Sequence, residues 1–252
     1  GYTIDQIATA ITTNVSTKKA GKTPFKKEDF LKAVQDDAFI EKMVAKYPKL
    51  LASLPSKDSG VRYRLEGYLF PATYNYGKDT TVKEMIDQML AAMDQNLSPY
   101  YETLESKNIN VNEVLTLASL VEKEGATDQD RKDIASVFYN RLNQDMPLQS
   151  NIAILYAEGK LGQKTTLKED ATINTELDSP YNIYKNTGLM PGPVDNPGVS
   201  AIEAAVNPSK TDYLYFVANV ENGEVFFAKT YEEHNKNVEE HVNSKLTQAS
   251  SN

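Results

Sequence analysis

The chain has 252 residues, and its 27 basic and 35 acidic side chains leave a net charge of −8 at pH 7. Hydrophobic residues are 40 % and charged residues 25 %, which excludes a collagen-like, low-complexity or wholly disordered chain. The acidic balance argues against a general nucleic-acid binder and against docking on an anionic membrane by bulk charge, and the absence of cysteine excludes disulfides, thiolate zinc sites and a cysteine nucleophile.

Tyr2 to Val15 carries Ile4, Ile7, Ala8 and Ile11 at helical spacing. A basic, polar stretch runs from Lys18 to Lys27, and a second helix is predicted from about Lys27 to Lys46. Lys57 to Gly60 reads as a turn. Arg64 to Pro71 reads as a short strand or extended piece stopped by proline. A domain boundary is placed between Tyr76 and Thr81. Thr81 to Asn96 is predicted helical, with Val82, Met85, Ile86, Met89 and Met93 as core filler on one face.

A helix from Val111 to Glu124 follows, capped by Asn110, with Gly125 just beyond its end. Thr127 or Asp128 caps the next helix, which runs to about Leu142, and a short helix covers Asn151 to Ala157. The Pro191–Pro193 and Asn196–Gly198 cluster is a rigid irregular loop. Ser200 with Glu203 forms a predicted capping box for a helix through Val206. Tyr213–Ala218 and Glu224–Ala228 flank Asn222-Gly223, a hairpin signal. Thr230 with Glu233 is a second capping box, opening a helix to about Leu246, and the tail from Gln248 is expected to fray. The fold class expected is α+β, mainly helical with a small β-hairpin or sheet.

The helix from Val111 to Glu124 is the most informative for chemistry. At about 100° per residue, Val111, Val114, Leu115, Ala118 and Val121 share a broad face. Glu122 falls within that face, whereas Glu124 falls near Glu113 and Leu117. A carboxyl on an apolar face is costly to ionise, and a raised pKa suits a general acid. The competing reading of Glu122 is a fraying helix end in water. His234 and His241, seven apart on one predicted helix, lack an HExxH pattern and read as surface or packing histidines. GxSxG, GxGxxG and P-loop motifs are absent from the sequence. The fifteen tyrosines include 63, 68, 74, 76, 139, 181, 184, 213 and 215 near turn-rich segments. Such rings suit sugars, and equally suit ordinary cores.

Several segments together resemble the MltG (YceG-like) endolytic murein transglycosylases of the Gram-positive type. They are Leu65–Tyr74, Leu117–Glu124, Ser136–Leu142, Pro147–Ser150, Ser179–Tyr184, Thr187–Pro193, Ala204–Pro208, Tyr213–Ala218 and His234-Asn235. The sequence departs from the family pattern at Pro71-Ala72-Thr73, where the family often has Pro-Asp-Thr. It departs again at Asn151-Ile152-Ala153, in place of Asp-Pro-Thr.

The resemblance implies that Glu122 is the catalytic acid, protonating the bond between MurNAc and GlcNAc and then, as carboxylate, deprotonating the MurNAc C6 hydroxyl to close a 1,6-anhydro ring. It also implies a LysM-like subdomain over residues 1–78, the catalytic domain over 79–247 and a tail over 248–252. Substrate contacts are expected from Asn140, Arg141, Gln149, Tyr181, Asn182 and Asn207, whose amides and guanidinium can hold sugar hydroxyls or carboxylates. For each of these, loop scaffolding is the alternative. Glu66 is either a second pocket carboxylate or a structural partner at the domain junction.

No metal or organic cofactor is called for. The resemblance implies peptidoglycan glycan strands, cell wall synthases and the elongation machinery as partners, and no nucleic acid is expected. Because the chain begins at Gly1 and has no run of ~20 apolar residues, it is expected to be a fragment. The full protein would be membrane-anchored through an upstream helix, with this part on the extracytoplasmic side. Two rivals stand beside this reading. One is a non-catalytic glycan-binding or scaffold protein of the envelope. The other is a pyridoxal-phosphate lyase, for which no Schiff-base lysine in a phosphate-cupping site is identified.

Overall fold

A computed structural model describes residues 1–15, 21–162, 173–219 and 221–243. It is an α+β protein made of two compact units. One comprises Gly1–Ser119 with Pro191–Val199, and the other Leu120–Met190 with Ser200–Asn252. This division does not coincide with the boundary expected near residues 78–79, because the helix of residues 82–97 packs with the N-terminal elements.

In the first unit, α1 (Ile4–Ala10) opens on a Thr3 capping box in which Thr3 and Gln6 satisfy each other's backbone N–H. Strands β1 (Thr13–Asn14) and β2 (Gly21–Lys22) pair antiparallel, Thr13 opposite Lys22. The single helix predicted over 27–46 is two, α2 (Lys27–Ala33) and α3 (Asp37–Lys46). The break comes where the Asp36 carboxylate accepts from Phe39 N at 3.1 Å and starts a new helix. Then follow α4 (Pro48–Leu51), a 3-10 turn at Lys57–Ser59, α5 (Val82–Leu97) and α6 (Tyr101–Ser106). Of the face expected on α5, Met85, Ile86, Met89 and Met93 are buried, together with Leu90, whereas Val82 in the first turn is half-buried.

Arg64–Pro71, expected as a short strand or extended piece, forms no strand. Its backbone turns, with Glu66 N bonded to Tyr63 O and Tyr68 N to Leu65 O. The N–H groups of Gly67 and Leu69 donate to one side-chain oxygen, Asn196 Oδ1, at 2.8 and 3.0 Å, instead of to a neighbouring strand. Asn196 is fully buried, and its Nδ2 donates to Tyr2 O and Glu66 Oε2. The loop of residues 191–199 thereby joins the core of the first unit.

Helix α7 (Val111–Glu124) gives its larger part to the first unit and Leu120–Glu124 to the second. Asn110 Oδ1 accepts from Glu113 N at 2.8 Å, the expected cap. The second unit continues with α8 (Asp128–Asn143), capped by Thr127, and α9 (Asn151–Ala157), capped by Ser150. Next come α10 (Val199–Val206), the hairpin β3 (Tyr215–Ala218) and β4 (Val225–Ala228), and α11 (Tyr231–Val238), capped by Thr230. A π-turn at Glu239–Asn243 ends the described part of the C-terminal helix. The further run to Leu246 and the tail from Gln248 lie outside the described residues. The capping box expected at Ser200 is not what starts α10. The helix begins one residue earlier, and Ser200 Oγ donates to the Asp128 carboxylate and accepts from Arg131.

Candidate active site

Every residue of α7 from Val114 to Val121 is buried. A helix buried all round has no single apolar face, so a wheel built on Val111, Val114, Leu115, Ala118 and Val121 cannot rank its last carboxylates. Leu117 and Leu120 are also buried, and Glu124 follows them at seven and four residues, on the same stripe. This corrects the expectation that Glu124 points to a polar side.

Burial pushes the Glu124 carboxyl above the usual carboxylate range, against a smaller opposing pull from the Ser150 hydroxyl. Ser150 Oγ donates to Glu124 Oε1 at 2.9 Å. Glu122, two residues earlier in the same turn, is half-buried as a residue, as Glu124 is.

The N-terminus of α9 brings the next groups. Asn151 Oδ1 accepts from the Tyr184 hydroxyl in a short hydrogen bond. Burial and then the neighbouring Glu124 charge push the Tyr184 phenol up to about 12, with Arg141 pulling the other way. Tyr184 is therefore neutral at any working pH, with its hydroxyl proton given to Asn151. Gln149, before Ser150, has φ 58° and hangs its backbone N–H on Ile183 O at 3.0 Å, which ties the two loops together.

Arg141 closes the arrangement. Its Nε donates to Leu214 O at 2.6 Å and its Nη1 to Pro147 O at 2.8 Å. The guanidinium lies 5.0 Å from the centre of the Tyr215 ring, and the His234 ring stacks on Tyr215 at 5.1 Å. Burial, and then the Arg141 charge, hold His234 below its ordinary range, so it is neutral near pH 7. Among the described residues, no hydrogen-bond partner reaches its buried Nδ1.

The expected substrate contacts fare unequally. Arg141 is 7 % exposed and engaged by two carbonyls and a ring, so it is a clamp rather than an open sugar ligand. Asn140 Nδ2 donates to Thr211 O and Tyr213 O, anchoring the approach to β3. Asn182 is fully buried, with Nδ2 on Thr175 O and Leu177 O and Oδ1 on Tyr184 N, which makes it loop scaffolding. Tyr181 is buried against Tyr156 at 5.2 Å. The exposed Asn207 donates to Glu203 Oε1 at 3.3 Å, and the Gln149 side chain is exposed.

Glu66 lies in the first unit and is 2 % exposed; its Oε2 accepts from Ile4 N at 2.8 Å and Asn196 Nδ2 at 2.9 Å. A carboxylate at the first turn of α1 is a structural partner of the helix N-terminus, not a pocket acid.

The helical spacing does not single out Glu124, and nothing in periodicity pairs Ser150 with Glu124, Asn151 with Tyr184, or Tyr215 with Arg141 and His234. One signal was present: Ser150, Tyr184 and His234 each stand within a family-matching segment. His241 stacks on Phe226, apart from the His234–Tyr215 pair. Among the described residues no three His, Cys, Asp or Glu are grouped to hold a metal ion, and no helix is long and apolar enough to cross a membrane.

The chain is 63 % identical over 246 residues to a Streptococcus pneumoniae protein named endolytic murein transglycosylase, covering 98 % of this chain and 44 % of that protein. A Bacillus subtilis protein of the same name is 41 % identical, with 97 % of this chain and 64 % of that protein covered. The chain thus spans about half the length of the curated relatives it matches. A crystal structure of a YceG-like protein from Listeria monocytogenes superposes with a TM-score of 0.81 at 46 % identity, covering 93 % of this chain and 73 % of that one. The YceG-like family matches residues 1–240, and the chain belongs to that family.

Proposed function

We propose that this chain carries the catalytic part of an endolytic murein transglycosylase, with Glu124 as the acid that becomes the base. The observation that carries this is the pairing of a carboxyl made hard to ionise by burial with the Ser150 hydroxyl on one of its oxygens. Protonated, Glu124 donates to the oxygen bridging MurNAc and GlcNAc. As carboxylate, it takes the proton from the C6 hydroxyl of the same MurNAc, whose oxygen closes on C1 to form the 1,6-anhydro ring. One tunable carboxyl serves both steps and water is not consumed, so a second carboxylate of the glycosidase kind is not required. Tyr184, donating to Asn151, and Arg141, donating to Pro147 O, hold the segment that carries Ser150 to the acid.

The names of the relatives support murein as substrate. Family resemblance alone supports an extracytoplasmic, membrane-anchored setting beside cell wall synthases and elongation machinery. The test compares Glu124→Gln and Glu122→Gln on purified glycan strands, with anhydro-ended fragments read by mass spectrometry. Loss of at least a hundredfold in Glu124→Gln, with Glu122→Gln retaining most activity, is the expected result. The reverse order returns the acid role to Glu122. No fragments from the unmodified protein would favour the non-catalytic glycan-binding alternative.

A further inference from the structure

Among the described residues only four large hydrophobic side chains are exposed, and Tyr231 is one of them at 64 %. It is the first residue of α11, held by the Thr230 cap, so its backbone is fixed although its ring is wet. Its ring centre is 5.9 Å from that of Tyr215. Tyr215 already carries Arg141 at 5.0 Å and His234 at 5.1 Å. Tyr213, in the same hairpin, is stacked on Phe227 at 5.2 Å. Tyr231 is therefore the ring of this cluster with open area to offer. Arg141 lies over half-buried Tyr215, Tyr215 meets exposed Tyr231, and Arg141 also holds Pro147 O, three residues before the Ser150 that bonds the acid.

An isolated surface tyrosine needs no explanation. One that continues an aromatic and cationic cluster away from a glycan-cleaving carboxyl has a specific chemical use. A pyranose ring presents C–H bonds on its face and hydroxyls on its rim, and an aromatic face with a polar tip matches both. The flanking side chains narrow the ligand further: Glu232 and Glu233 follow directly and are exposed. They disfavour a sugar bearing a lactyl or peptide carboxylate and leave a neutral N-acetylhexosamine as the ring that fits.

We propose that Tyr231 is a sugar-stacking residue that binds a neutral pyranose of the glycan strand beyond the sugars that flank the cleaved bond. This rests on the murein-cleaving function proposed above.

The test uses peptide-free murein oligosaccharides of two and of six sugars, titrated calorimetrically into Glu124→Gln and into Glu124→Gln with Tyr231→Ala. Removing the ring is expected to weaken the six-sugar ligand by about five- to tenfold and to leave the two-sugar ligand unchanged. Tyr231→Phe or Tyr231→Trp in the same background should restore most of the affinity, which separates stacking from a folding defect. Equal dissociation constants with and without the ring, in a protein whose unmodified form cleaves strands, would overturn the role of Tyr231 and leave the catalytic function standing. Failure of Glu124→Gln to bind either ligand, together with no cleavage by the unmodified protein, would remove both.

Discussion

Ser150 Oγ donates to Glu124 Oε1 at 2.9 Å and accepts from Ile152 N at 3.3 Å, so one hydroxyl both starts α9 and steadies the acid. That bond favours the carboxylate, while burial favours the protonated form. Ser150→Ala removes the cap, at a cost of about 1 kcal/mol in stability. It also removes the pull toward ionisation, so activity should persist to higher pH than in the unmodified protein. Ser150→Thr should keep both the stability and the profile. Rates on glycan strands across pH, with thermal unfolding alongside, would check this; an unmoved alkaline limb in Ser150→Ala would contradict it.

The burial of Glu124 also predicts how stability depends on pH. Its folded pKa lies above the ordinary carboxyl value of 4.5. The folded protein then binds this proton more tightly than the unfolded chain does. The resulting stability is fully present below the unfolded pKa and is lost as pH rises through the folded one. Glu124→Gln should therefore melt with the parent at about pH 4 and a few degrees above it at about pH 7. A difference in melting temperature that does not change with pH would count against a desolvated carboxyl.

In the first unit, Asn196 takes two backbone N–H groups and gives two hydrogen bonds from a fully buried side chain. Asn196→Ala removes the acceptor of Gly67 N and Leu69 N together and takes one of two donors from Glu66 Oε2. A loss of about 3–5 kcal/mol is expected, large for a single site. Asn196→Asp should also be severely destabilising, because it sets a second carboxylate against Glu66. Chemical denaturation gives the number; a cost below about 1 kcal/mol would show that the loop is not held this way.

Gly67 has φ +96°, and a Cβ there would stand 2.3 Å from the Pro193 ring. Strain and collision act together, so Gly67→Ala should cost at least ~2 kcal/mol. Gly188 has φ +85° with open space around it, so Gly188→Ala carries the backbone term alone and should cost about half as much. Parallel melts of the two variants would separate collision from conformation.

Arg141 is the clamp of the second unit. Arg141→Lys keeps the charge but cannot reach Leu214 O and Pro147 O from one planar fork while lying over Tyr215. A loss of about 2–4 kcal/mol is expected, with activity falling because Pro147 leads directly to Ser150. His234, which backs Tyr215, should tolerate Phe far better than Ala, since its contribution there is a stacked ring. Activity of the two His234 variants under one set of conditions would check this ranking.

Much of the fold was legible because its signals are local. The Asn110, Thr127 and Thr230 caps, the α5 stripe of Met85, Met89 and Met93, and the Asn222-Gly223 hairpin each depend on side chains a few residues apart. The errors came where a distant group replaced the local one. Arg64–Pro71 looked like a strand, yet Asn196 supplies the acceptors that a neighbouring strand would have supplied. Ser200 looked like a cap, but its hydroxyl serves Asp128 and Arg131.

By itself the sequence determined most of the helices, the hairpin and the family resemblance, and it singled out the last turn of α7 for its carboxylates, because backbone preference and side-chain spacing act over a few residues. Tertiary structure decided that the Glu124 carboxyl is hard to ionise and which expected sugar ligands are already engaged. A pKa and an open hydrogen-bonding group depend on what surrounds an atom in space. For Glu124 that surrounding comes from Ser150 and Tyr184, 26 and 60 residues further along the chain.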